Sequence, residues 1–257
     1  MDRLIATLRL AATSLALLLL TGCVTNPDTT AQYGIQPEHA GYVPARIAIV
    51  PCQPWPSGAR FQALPLTNVK PAAIQDLCES LDAYVLSGFN GQPYMKGFSP
   101  KAVTKSLAEA NQQDLLGQLA ALWMHTSGDC VQCATAPAYY KATIARRPSW
   151  LAWLNALSKA ARNADSVLLP FVTFAGERTY DDRGLAVAER SAGVALLLVD
   201  TNNGELLWAG GREAAVQSKR LTGGSVAAPL AAPPWSDLTA RLLTEELWRE
   251  FPGRQVF

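Results

Sequence analysis

Apolar positions along this chain follow two rhythms, and their order predicts the architecture. Ile47, Ile49 and Val50 form a β-branched run ended by Pro51, which predicts a short buried strand. From Lys70 to Ser87, Ala73, Leu77, Leu81, Tyr84 and Val85 recur at three- and four-residue steps, the stripe of an amphipathic helix. GFNGQP breaks that pattern, and YMKGF after it is at most a short strand. A second helix is predicted over 99–125, with Ser99 as N-cap and Pro100 at the first helical position. Its Leu107, Leu115, Leu119, Leu122 and Trp123 would face the core. Residues 126–148 carry no clean period and read as a disulfide-pinned insertion, after which SWLAWLNALSKAARNA makes a third helix opened by Ser149.

The carboxyl half changes rhythm. DSVLLPFVTFAGE reads as a strand whose Pro170 argues for an edge or a bulge. A hairpin follows: an apolar run ending at Val199, an Asn202-Asn203-Gly204 turn, then Leu206 to Trp208. After a Gly/Ala/Pro loop at 222–234, WSDLTARLLTEELWREF forms a closing helix. Strand, helices, strands, hairpin and helix together predict an α/β fold over 45–257: a single-domain sandwich with helices packed on a mixed sheet.

The amino terminus obeys neither rhythm. Ala11 to Leu20 is apolar except for Thr13 and Ser14, about half the ~20 residues a membrane-spanning helix needs. Arg3 and Arg9 precede it and small residues follow, the layout of a secretory signal. Leu20-Thr21-Gly22-Cys23 resembles the lipobox of bacterial lipoproteins, which implies cleavage between Gly22 and Cys23 and acylation (palmitate included) of Cys23. Acyl chains contribute ~0.8 kcal/mol per buried methylene, and more than one gives stable anchoring. In such signals Asp after the cysteine favours inner-membrane retention; Val24 here implies the outer membrane, periplasmic face. Residues 1–22 are thus expected as signal peptide and 23–44, rich in Thr, Pro, Gln and Gly, as lipidated Cys and flexible tether.

Charge and cysteines narrow the function. Removing Arg3, Arg9 and Asp2 from 22 Lys plus Arg and 21 Asp plus Glu leaves 20 of each. A chain of zero net charge has no basic field for nucleic acid. Cys52, Cys78, Cys130 and Cys133 remain after Cys23, an even number that suggests disulfides in an oxidising compartment. Of the three connectivities, which sequence alone does not separate, Cys52–Cys78 with Cys130–Cys133 is favoured.

A wider resemblance is carried by RIAIVP, by ADSVLLPFV after a helix, and by Leu196-Leu197-Leu198-Val199-Asp200 with Gly204-Glu205 and Trp208. These stretches, 46–52 and 160–217, look like periplasmic lipoproteins with the fold of the curli secretion channel (CsgG) and the TolB amino-terminal domain. The resemblance implies a role in export or envelope assembly, without catalytic residues or cofactor, with envelope proteins as partners and often as a homo-oligomer. Channel-forming members insert long alternating hairpins that close into a barrel; no paired ten-residue alternating segments are legible here, which argues against a pore.

Several constellations have residue types that could carry chemistry. Cys130-Val131-Gln132-Cys133 has the spacing of a thiol–disulfide site, but Asp129 before it would raise a thiol pKa and Ala-Thr-Ala-Pro after it starts a helix poorly, so a structural bridge is the better reading. His125 with Cys130 and Cys133 offers three soft metal ligands, and neither His39 nor Cys52 or Cys78 is an evident fourth. Glu177, Asp181, Asp182 and Glu189 could be imagined as a carboxylate site, although the alternating charges of GERTYDDRG suit a solvated loop. Trp55, Trp150, Trp153, Trp208, Trp235 and Trp248 raise the alternative of a cell-wall glycan platform, with core packing as the default.

Overall fold

A computed structural model describes residues 32–36, 39, 41–55, 71–89, 92–123, 135–221, 230–248 and 250–254. In it the apolar runs of the carboxyl half become the longest strands. In chain order the elements are β1 (Gln32–Ile35), β2 (Arg46–Ile49), β3 (Gln53–Pro54), α1 (Pro71–Tyr84, extended by a 3-10 turn Val85–Phe89), β4 (Lys96–Phe98), α2 (Pro100–Glu109) and α3 (Asp114–Leu122). There follow α4 (Ala136–Tyr139, run on by a π turn Tyr140–Ile144), α5 (Pro148–Ala160), β5 (Ser166–Asp182), β6 (Leu185–Asp200), β7 (Leu206–Leu221), α6 (Trp235–Leu242) and α7 (Glu245–Trp248). The strands form one mixed sheet in the order β1-β7-β6-β5-β2-β4, with β3 also pairing β5. β5, β6 and β7 make an antiparallel meander, β1 runs antiparallel to β7, and β2, β3 and β4 are parallel to their neighbours.

The alternation of β6 separates two cores. Leu196 and Leu198 pack with α1, α6 and α7, while Ala195, Leu197 and Val199 pack with α2, α3, α4 and α5. Because the inner sheet is covered on both faces, its strands read as continuous apolar runs, and the period of two is hidden. The α/β sandwich expected from the pattern is the observed fold.

The elements depart from expectation where a local rule competes with the pattern. The single helix expected over 99–125 is two, α2 and α3, broken where Asn111 takes a left-handed φ of 54°. The intervening AEANQQD has little apolar surface to keep a helix on the sheet, and Asn tolerates that conformation. Ser99 does cap α2, its Oγ accepting from the Ala102 N–H at 3.1 Å. Ser149 caps nothing: Arg147 is the N-cap residue of α5 and Pro148 its first helical residue. The closing helix is also two, parted at Leu243 and Thr244.

Pro170 marks neither edge nor bulge. β5 is interior, and Pro170 lies opposite the gap where β2 stops and β3 begins, between the hydrogen bonds of Val50 N–H to Leu168 O (3.2 Å) and Trp55 N–H to Val172 O (2.8 Å). A residue without an N–H fits there; the bulge falls at Val172/Phe174. GERTYDDRG is not a loop: β5 runs through it to Asp182, turns at Arg183-Gly184 and returns as β6.

Residues 23–44 are likewise not all tether. Gln32–Ile35 form the edge strand β1 on β7, the Gln36 N–H donates to Leu207 O at 3.1 Å, and Tyr42 packs against the core of the α1 face. Backbone pairing holds an edge strand without demanding apolar alternation, so composition gave no sign of it. Within the expected insertion 126–148, the described part from 135 is helical and buries Tyr139, Tyr140 and Ile144. No helix among the described residues is long and apolar enough to cross a membrane.

Candidate functional site

β2 and β4 are adjacent and parallel, yet the chain leaves them toward opposite faces. Beyond β2 it reaches α1, whose Ala73, Leu77 and Leu81 belong to one core. Beyond β4 it enters α2, whose Val103 and Leu107 belong to the other. Such a switch point opens a crevice at the carboxyl ends of the strands, the usual ligand position in open α/β sheets. A cavity of about 590 Å³ occupies it, lined by Pro51 and Pro100, each two residues past its strand, by Asp82 and Ala83 of α1, and by Lys101, Thr104, Lys105 and Ala108 of α2.

Asp82 in its wall is a carboxyl with a shifted pKa. Burial pushes its carboxyl up to about 6, opposed by the Cys52 N–H that donates to Oδ1 at 2.8 Å, and Glu79 adds repulsion. Cys52 and Cys78 are joined in a disulfide, so a covalent link and a hydrogen bond both tie the end of β2 to α1. Opposite, Thr104 Oγ1 donates to Pro100 O at 2.9 Å, and exposed Lys105 lies 3.8 Å from Glu109. The arrangement places a carboxyl that changes charge near pH 6 and two lysines in the wall of one cavity. Among the described residues lining it, the Thr104 hydroxyl is turned into its own helix.

A second cavity of about 290 Å³ opens beside the β6–β7 turn. That turn is built as its residues predict: Gly204 has φ 73°, Asp200 Oδ1 accepts the Asn202 N–H at 2.6 Å, and Asn203 Oδ1 accepts the Glu205 N–H at 2.9 Å. Tyr140 OH donates to Gly204 O at 2.5 Å and accepts from Trp150 Nε1 at 2.8 Å, fixing the turn on the helical layer. His39 lies with Nε2 3.5 Å from Glu205, which also accepts from Asn203 Nδ2 at 3.0 Å.

Among the described residues singled out from sequence, Cys52 and Cys78 meet in the disulfide, and the rest do not converge on one site. Gly22, Cys23, His125, Cys130 and Cys133 lie outside the described residues. No group of three or more metal-ligating side chains occurs among the described residues. The four carboxylates divide between the faces of the β5–β6 hairpin: Glu177 pairs with Arg190 at 2.7 Å on one, and Glu189 with Arg178 at 2.6 Å on the other. All seven tryptophans are buried, at most 9 % exposed, which removes the surface a glycan platform needs. Asp82 escaped notice because it falls beside the apolar stripe of α1. Its position one helical turn past Cys78 was the available signal.

The outer halves of β5, β6 and β7 form a projecting arm, and paired segments of this length were not legible in the sequence. Both faces carry charge: Glu177, Asp181, Arg190 and Arg220 on one, Arg178, Asp182, Glu189 and Lys219 on the other. A lipid-facing barrel wall requires one apolar face, so this arm does not have that chemistry.

Among known proteins, no family model matches the chain, and no curated protein matches it. Similar solved structures include Lipoprotein GNA1162 from Neisseria meningitidis (16% identity, 72% of this chain and 88% of that one, TM-score 0.31). They also include the PelC dodecamer from Paraburkholderia phytofirmans (13% identity, 90% and 99%, TM-score 0.35) and the LpoB C-terminal domain from Salmonella enterica (11% identity, 70% and 89%, TM-score 0.30). At these TM-scores the likeness carries no inference about function.

Proposed function

We propose that this protein is a lipid-anchored accessory or scaffold of the bacterial envelope, attached through Cys23 to the periplasmic face of the outer membrane and without catalytic activity of its own. The observation that carries the reading is Leu20-Thr21-Gly22-Cys23 closing a ten-residue apolar run, nine residues ahead of the first strand. The Cys52–Cys78 bridge suits an oxidising compartment.

Expression of Cys23→Ala in a diderm host tests the anchor. The variant is expected to accumulate as unprocessed precursor and to incorporate no labelled palmitate. Processing and fractionation like the parent chain would sink the reading.

A further inference from the structure

We infer that the outer end of the β5–β6–β7 arm rests on the bilayer surface to which Cys23 is attached; this builds on the reading of Cys23 as the lipid anchor. Direction comes first. β1 is antiparallel to β7, with Gln32 opposite Gly210 and Ile35 opposite Trp208, so the amino end of β1 points toward the arm tip. Reach comes next. From Gly210 to Leu221, β7 runs eleven residues farther in that direction, ~36 Å. Cys23 is nine residues from Gln32: ~30 Å fully drawn out, but ~17 Å as a typical coil. The arm is longer than nine residues can span. A lipid on Cys23 therefore brings the arm to the membrane before the body of the domain.

The tip has the chemistry of the headgroup boundary. Leu185 and Leu221 are cross-strand partners at its extremity, with Leu221 77 % exposed, and Tyr180 stands opposite Val187 on the same face. Lys219 flanks them, and Arg183 forms the turn. Aliphatic, tyrosyl and long cationic side chains together are what an interfacial element presents, the rings and alkyl stems at the acyl boundary and the charges in the headgroups. Arg183, Lys219 and Arg220 outnumber Asp181 and Asp182 there, which favours an anionic surface. The charges on both arm faces keep the contact superficial, with no crossing.

The test uses the full processed chain in phosphatidylethanolamine–phosphatidylglycerol vesicles carrying a headgroup nitroxide. A fluorescent amino acid is encoded at position 221 or, in a separate chain, at exposed position 202 at the opposite end of β6 and β7. Quenching several-fold stronger at 221 than at 202 is expected, and Leu185→Glu should reduce it without changing the circular dichroism. Equal quenching at both positions, or none at 221, in chains whose mass shows the lipid would overturn arm docking and leave the anchor standing. Chains whose mass shows no lipid would overturn the anchor and, with it, the inference.

Discussion

β5, β6 and β7 each pass through two surroundings. Their inner halves lie between two helical layers, where Leu168, Leu196, Leu197 and Leu198 are fully buried. Their outer halves carry charge on both faces and are held by cross-strand pairs such as Arg178–Glu189 and Glu177–Arg190. Trp235 stands beside the border: the Arg190 guanidinium stacks on its ring at 4.4 Å and donates to Pro233 O at 2.6 Å, so the segment entering α6 packs on the row of Arg190. One hydrogen-bonded ladder thus serves as core and as appendage, and only the side chains tell the two apart.

The sharpest test of that division exchanges the same side chain in both halves. Leu197→Ala removes a fully buried side chain between β6 and the α5 layer, and should cost ~2–5 kcal/mol through lost transfer energy and the cavity left behind. Leu221→Ala, 77 % exposed, should change stability by under ~0.5 kcal/mol. Urea midpoints of the two variants measure this directly. Similar losses at both sites would mean that the arm is packed as tightly as the body.

That division also explains what could be read from the sequence. The inner strands were legible because burial on two faces leaves an apolar run: Ile47 to Val50, Val167 to Leu169 and Leu196 to Val199 all announce themselves. The Asn203-Gly204 turn was legible because its backbone needs those residues. The arm was not, because cross-strand ion pairs produce the same sign alternation as a solvated loop, and GERTYDDRG fits both. β1 was not, because edge pairing uses backbone alone. The crevice was hidden for a third reason: it arises from the order of strands β4-β2-β5 and the faces their helices take, and no single segment encodes that.

Two carboxyls carry the comparison into pH. Asp82, in the inner region, has burial as its main influence and a single hydrogen bond from Cys52 against it, so its pKa rises to about 6. The folded chain then binds more protons than the unfolded chain between about pH 4 and about pH 6. Stability therefore falls as pH rises through that window, and the cost is complete above it. Asp82→Asn keeps an oxygen for the Cys52 N–H and removes the charge. At pH 7.5 it should stabilise by on the order of 1 kcal/mol, after discounting for partial exposure, and the gain should vanish near pH 4. Parallel urea curves for parent and variant across that range would refute this assignment.

Glu189, in the arm, responds with the opposite sign. Burial alone would raise its carboxyl, but hydrogen bonds from Arg178, Gln217 and Tyr180 at 2.6, 2.6 and 3.2 Å hold it below its ordinary value. Its contribution is present above the unfolded pKa and is lost as pH falls. Arg178→Met keeps the alkyl stem and removes the cation, and Gln217 and Tyr180 still donate to the carboxylate. The Arg178 side chain is 45 % exposed while that of Glu189 is 5 % exposed; because the cation reaches solvent and two other donors remain on the carboxylate, the variant should lose only ~0.2–1 kcal/mol, shrinking further in 1 M salt. A salt-independent loss of ~3 kcal/mol would instead assign Arg178–Glu189 to a dry interior. The arm would then be core to its tip, and the contrast between the two halves would fail at the residue where it is drawn most finely.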